Sequence, residues 1–168
     1  MRKVWDIHGG IHPPENKIQS LDESILEAPI APQLVLPLSQ HIGAPARACV
    51  KVGQQVLKGQ CIAEAVGPVS VPIHAPTSGT ITAIEKRPIA HPSGLEDNCI
   101  ILETDGNDQW RERNPVNDYS QLDKATLVNM IRNAGIAGMG GAGFPTSIKL
   151  NTRDNVVIDT LIINGTEC

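Results

Sequence analysis

The chain has 168 residues, 40% of them apolar, a formal net charge of −4 and only four aromatic side chains, Trp5, Trp110, Tyr119 and Phe144. With neither a basic face nor a set of stacking aromatics, the composition argues against nucleic acid as a partner. No apolar run approaches the ~20 residues of a membrane helix, and the opening stretch Met1 to His8 lacks the apolar core of a secretion signal. Thirteen prolines and fifteen glycines call for many turns and short elements, so a β-rich architecture is expected for part of the chain. Cys49, Cys61, Cys99 and Cys168 include no C-x-x-C pair, which offers neither a zinc site nor an iron–sulfur motif. The first three lie in alternating apolar segments and are expected to be reduced, small core residues.

In chain order, residues 1–32 form a polar lead with little periodicity. Its His8-Gly-Gly-Ile-His-Pro-Pro14 places His8 and His12 four apart, the spacing of a helical metal pair. Two intervening glycines and two following prolines oppose a helix there, so the segment reads as a turn that fixes where the lead docks, and no metal site is assigned. Residues 33–104 read as strands. Leu34-Val35-Leu36 ends at Pro37. The run from Cys49 to Ala63 carries Gly53 and Gly59 between β-formers, as in short strands joined by tight turns. Val71 to Ile84 has a turn at Pro76 to Gly79 followed by alternation, and Asn98 to Glu103 would close the unit. Val50, Gly53, Val56, Gly59, Gln60 and Ile62, followed by Ala75, Pro76, Gly79 and Ile81, resemble the biotinyl/lipoyl-type barrel-sandwich hybrid. Carrier domains of that type present a lysine at an exposed hairpin. Here Gly67-Pro-Val-Ser-Val71 occupies that place, and no lysine occurs between Lys58 and Lys86, so the module reads as structural. His74, beside the Ala75-Pro76 turn, reads as a hydrogen-bonded surface residue.

Residues 105–119 form a polar connector. Residues 120–168 begin with a helix capped by Ser120 or Asp123, with Leu127, Ile131 and Ala134 as an apolar stripe and Gly135 as its C-terminal glycine. A loop with five glycines between Gly135 and Gly143 follows, then a short helix with Pro145 near its first turn. Leu161 to Ile163, within the segment 155–163, is continuously apolar, as in a buried parallel strand. The residues after it, 164–168, leave that strand where ligands of open α/β sheets collect, and the domain is expected to continue past them.

Glycine alone takes positive φ without steric cost and lets a ligand lie against bare backbone, and phosphate is the usual ligand of such a loop. Ile136, Met139, Ala142 and Phe144 interrupt the glycines, unlike a polar flexible linker. Gly138-Met-Gly-Gly-Ala-Gly143 formally fits G-x-G-x-x-G. The dinucleotide fingerprint, however, needs a strand before the loop, and here a helix precedes it. No phosphate-loop lysine follows Gly143, and no nucleophile elbow is present.

The string G-M-G-G-A-G-F-P-T-x-x-K-L from Gly138, followed by L-I-I-N-G-T-E-C, resembles the flavin- and NADH-binding subunit of respiratory complex I. With H-G-G-I-H-P-P-E-N-K from His8 and P-L-S-Q-H-I-G-A-P-A from Pro37, essentially the whole chain resembles the C-subunit family of Rnf-type (Rsx-type) ion-translocating electron transport complexes. The resemblance implies an α+β chain: a barrel-sandwich hybrid followed by the start of an α/β FMN/NADH-binding domain. It implies that the amides of Gly138, Gly140, Gly141 and Gly143 face FMN, that Lys149 contacts the flavin, and that Asn164 and Glu167 lie near flavin and nicotinamide. Phe144 matches an aromatic that lies against the adenine of NADH. Met139 and Thr166 depart from the complex I pattern, which has an arginine and an aspartate there, and this puts nucleotide affinity and flavin potential in question. Hydride delivery from NADH to FMN and onward single-electron transfer are implied, with no side chain as nucleophile or general base. Two [4Fe–4S] clusters are expected only beyond this segment, and weak or no FMN binding is expected of the 168 residues alone. Implied partners are other subunits of a membrane electron transport complex and ferredoxin-like electron carriers, with a peripheral place on the cytoplasmic face of the bacterial inner membrane. Two other readings are a non-catalytic docking module of the same complex and a relative of the cobalamin reductases, which share the glycine loop.

Overall fold

Alternating apolar residues and glycine turns give seven strands: β1 (Gln33–Pro37), β2 (Arg47–Ala48), β3 (Gln55–Val56), β4 (Cys61–Glu64), β5 (Ile73–His74), β6 (Gly79–Pro88) and β7 (Glu96–Thr104). The structure is a computed structural model that describes residues 8–11, 13–14, 16–141, 143–152 and 157–162. The strands form two antiparallel sheets, one in the order β1-β7-β6-β3 and the other β2-β4-β5. Leu34 and Ile81 flank Leu102 in the first sheet, and the β6–β7 register shifts between Ile81 and Ala83. Val56, Ile62, Ile73, Ile81, Ile100 and Leu102 meet as the core of this barrel-sandwich unit. Each such side chain removed from water contributes about 1.5–3 kcal/mol.

Three glycines are fixed by geometry here. Gly53 and Gly59 take φ of +86° and +78° in the turns before β3 and β4, a region closed to most L-residues. Gly79 starts β6 so close to β7 that a Cβ there would stand 2.1 Å from the Glu103 carbonyl oxygen.

The connector is strapped down over its first part. Buried Ser78 donates to Asp105 Oδ1 (2.7 Å) and accepts from the Gln109 amide (2.9 Å). Lys58 Nζ reaches Asp108 Oδ2 at 2.5 Å. Trp110 pairs in parallel with Lys58, and its ring covers Gly59, where a Cβ would meet the indole at 2.8 Å. Helix α1 (Lys124–Asn133) follows, with Asp123 accepting from the Thr126 amide at 2.7 Å. That amide, donating to the carboxylate, holds Asp123 below the usual carboxylate range. Gly135 ends the helix at φ +73°. Helix α2 (Thr146–Leu150) starts directly after buried Pro145.

Three expectations are corrected. Residues 157–162 form no strand and are exposed, Val157 at 91% and Ile162 at 87%. A parallel strand needs flanking strands for its hydrogen bonds, and none lies beside this segment among the described residues. Cys49 is exposed just past β2, whereas Cys99 is fully buried and Cys61 half-buried. Ala134 is exposed at the end of α1, and the half-buried face of that helix is Leu127, Val128, Ile131 and Arg132. The lead carries one short 3-10 turn, Ile18–Ser20, and its described residues are exposed from His8 to Ile30. His8 is exposed and His12 lies outside the described residues.

Candidate functional site

The glycine loop is closed on itself at its base. Gly138 N–H donates to Phe144 O (2.8 Å), Thr146 N–H donates to Ile136 O (3.1 Å), and Ala137 bridges to Pro145. Inside that neck, Gly143 N–H donates to Gly140 O at 2.9 Å, a tight turn. The loop therefore divides its amides. Those of Gly138 and Gly143 are engaged internally, which corrects the expectation that all four glycines turn an amide toward a ligand. Those of Met139, Gly140 and Gly141 have no acceptor among the described residues. A Cβ on Gly140 or Gly141 would meet nothing within 4 Å, so this stretch of backbone is open.

Lys149, on α2, reaches back over the loop. Its Nζ lies 3.9 Å from where a Gly138 Cβ would stand and 5.8 Å from the Phe144 ring centroid. It has no carboxylate partner among the described residues. Gly138, Gly140, Gly141, Gly143, Phe144 and Lys149 are thus brought together. Asn164 and Glu167 lie outside the described residues.

The other side of the cleft belongs to the barrel. The loop between β1 and β2 contributes Ser39 to Ile42, and the segment before β5 contributes Val71 and Pro72, enclosing about 640 Å³ with the glycine loop. That volume suits a small organic ligand. Its open donors suit an anionic group, and the Lys149 ammonium stands at the base of the loop, by Gly138. A flavin mononucleotide fits that donor set: bared amides, one cation, and Gly140 and Gly141 without side chains to bar close approach. No group of three or more His, Cys, Asp or Glu among the described residues could hold a metal ion.

Helix α1 is fastened to the barrel beneath the site. Arg132 donates to Gly67 O (2.6 Å) and to Ser70 O (3.4 Å). The hairpin that would present a lysine in a carrier domain is thereby the seat of the second module. A second concavity of about 630 Å³ lies where connector, barrel and helix end meet, and Lys58, His74, Trp110, Arg111 and Arg113 line it. His74 is half-buried there rather than on the open surface. Burial, and then the Arg111 guanidinium, push its pKa below the ordinary 6.5. Burial, with Cys49 adjacent, pushes the Cys61 thiol up to about 11, so it is no nucleophile at neutral pH. His41, Ile42 and Arg132 escape sequence reading. The string from Pro37 to Ala46 marks the first two, but nothing in it tells that they meet the glycine loop.

Residues 5–107 match the RnfC barrel sandwich hybrid domain, and residues 131–168 match the Nuo51 FMN-binding domain. The chain is 52% identical over 166 residues to the C subunit of the ion-translocating oxidoreductase complex of Serratia proteamaculans, covering 99% of this chain and 23% of that protein. The proteins of the same name from Yersinia pestis and Vibrio cholerae are also 52% identical over 99% of this chain, which covers 26% and 21% of them. The chain spans about a quarter of the length of these relatives.

Proposed function

The chain belongs to the RnfC family, the C subunits of ion-translocating oxidoreductase complexes, and from that premise we propose that it is the N-terminal part of a protein that exchanges electrons with NAD(H) through FMN and passes them to iron–sulfur centres. The observation that carries this reading is the open run of amides from Met139 to Gly141, with the Lys149 ammonium near Gly138 at the base of the loop. It stands within the segment that matches an FMN-binding domain. The bound flavin would supply the exchange between hydride pairs and single electrons. The residues of this chain bind and orient it. The amides of Gly140 and Gly141 donate to its anionic group and Lys149 adds a positive charge, while Phe144 would lie against the adenine of NADH. Asn164 and Glu167 belong to the same site in this reading. The [4Fe–4S] clusters would be held by the part of the protein outside these residues.

In this reading residues 1–32 are the lead, 33–104 the barrel-sandwich hybrid, 105–119 the connector and 120–168 the start of the flavin/NADH-binding domain. The partners are the other subunits of the complex and ferredoxin-like carriers, and the place is the cytoplasmic face of the inner membrane. Among the described residues no helix is long and apolar enough to cross a membrane, which agrees with a peripheral subunit. The docking-module reading draws on the internal bonding of Gly138 and Gly143. Flavin analysis of the full-length protein, purified in its complex, separates the two. Bound FMN whose absorbance is bleached by NADH is the expected result. A full-length protein that carries no FMN and does not take it up would overturn the redox reading in favour of docking.

A further inference from the structure

We propose that the barrel forms one wall of the flavin cleft and that His41 is the positioning residue holding the glycine loop against that wall. This rests on the cleft being the flavin site. The first support is Gly143. Its amide is bound to Gly140 O, and the space left by its absent side chain faces His41 Cα at 3.2 Å and Gln40 O at 3.4 Å. Glycine at this position admits the barrel, not a ligand. The second support is the hydrogen bond from Ile42 N–H to Gly143 O at 3.3 Å, which joins the β1–β2 loop to the glycine loop.

The third support is the His41 ring. The Val71 amide donates to its Nε2 at 3.1 Å, so that nitrogen accepts and Nδ1 carries the hydrogen that it donates to Ile42 O at 2.9 Å. One imidazole ring therefore ties the wall segment, at Ile42, to the floor segment, at Val71. Ala44 N–H to Val69 O (3.0 Å) and Ser70 Oγ to Ala44 O (3.0 Å) brace the same two segments further on. With both ring nitrogens engaged, His41 acts on a ligand only through Ile42 and the register of the loop. That register decides where the open amides of Gly140 and Gly141 stand relative to Ser39 and Pro72 across the cleft.

The test uses the full-length protein in its complex, as wild type, His41→Ala and His41→Gln, with two readouts. One is FMN affinity of the flavin-depleted protein, followed by flavin fluorescence. The other is amide hydrogen exchange of the segment 135–146 without flavin. His41→Ala is expected to speed exchange in that segment and weaken FMN binding by about five- to tenfold, the size of one lost hydrogen bond. His41→Gln, whose carbonyl can take over the Val71 amide, is expected to recover most of both. Gly143→Ala, which places a methyl between loop and wall, should reproduce the His41→Ala pattern and serves if that variant does not assemble. Gly140→Ala should weaken FMN binding without changing exchange. Wild-type FMN affinity and loop exchange in His41→Ala would overturn the proposal. A wild type that binds no FMN would instead overturn the flavin reading, and the exchange data would still decide whether His41 positions the loop.

Discussion

Gly79, Gly140 and Gly143 show three uses of the same missing side chain. Gly79 lets β6 approach β7, Gly143 lets the barrel loop approach the glycine loop, and Gly140 faces open space. Gly79→Ala must push a methyl into the Glu103 carbonyl, with backbone on both sides and nothing flexible to yield. A loss of about 2 kcal/mol or more is expected from urea unfolding, in the range of severe core overpacking. Spacing in the sequence marks the glycine loop, but not which glycine does what. The atoms that decide, such as His41 Cα beside Gly143, come from a segment about a hundred positions earlier in the chain. Lys149 is marked only by the resemblance of the string from Gly138, and its seat above Gly138 comes only from the turn into α2. Lys149→Met keeps most of the aliphatic stem and removes the charge. FMN affinity of the full-length protein should fall by about tenfold or more, as for a lost charge-assisted contact. The difference from wild type should shrink as salt is raised. Unchanged affinity at low salt would remove Lys149 from the site.

Elements whose causes are local were legible. Glycine turns at positive φ and alternation located the barrel strands, and an amphipathic run after Ser120 and Asp123 located α1 with its terminating glycine, the choice of Asp123 as cap coming from the structure. Elements whose causes are distant were not. The apolar run Leu161 to Ile163 carries the composition of a buried strand, but Leu161 and Ile162 are exposed and without strand pairing. A strand is made by its neighbours as much as by its residues. The seat of α1 on the hairpin at Gly67 was also hidden, because it depends on one guanidinium meeting two carbonyls of the barrel. Arg132→Met removes both donors while keeping the stem that packs along the helix. Unfolding should occur at about 1–3 kcal/mol less free energy, and amide exchange should rise at 67–71 and in α1 together. A rise confined to α1 would show that the hairpin does not depend on this anchor.

Three parts of the molecule converge on His74: the barrel through β5, the connector through Arg111, and the end of α1 through Asn133 and Gly135. A Cβ on Gly135 would stand 3.2 Å from His74 Nδ1, so the ring packs against the helix terminus. Every charged group lining the concavity around it, Lys58, Arg111 and Arg113, is a cation, and Lys58 is already paired with Asp108. Burial and then Arg111 therefore disfavour the imidazolium in the folded state, while the Asn133 carbonyl opposes them only in part. With the folded pKa below the unfolded one, the unfolded chain binds more protons as pH falls below 6.5. The stability due to neutral His74 is thus fully present above that pH and is lost as pH falls through the folded value. The carboxylates of Asp105, Asp108 and Asp123, held low by their hydrogen-bond donors, carry the same sign but act only below 3.8. The two steps are therefore separated. Urea unfolding near pH 7 and near pH 5.5 should show the wild type losing stability between them, with a smaller loss in His74→Gln, which cannot take a proton. Equal losses in the two proteins would mean that the joint of barrel, connector and helix tolerates a charge at His74.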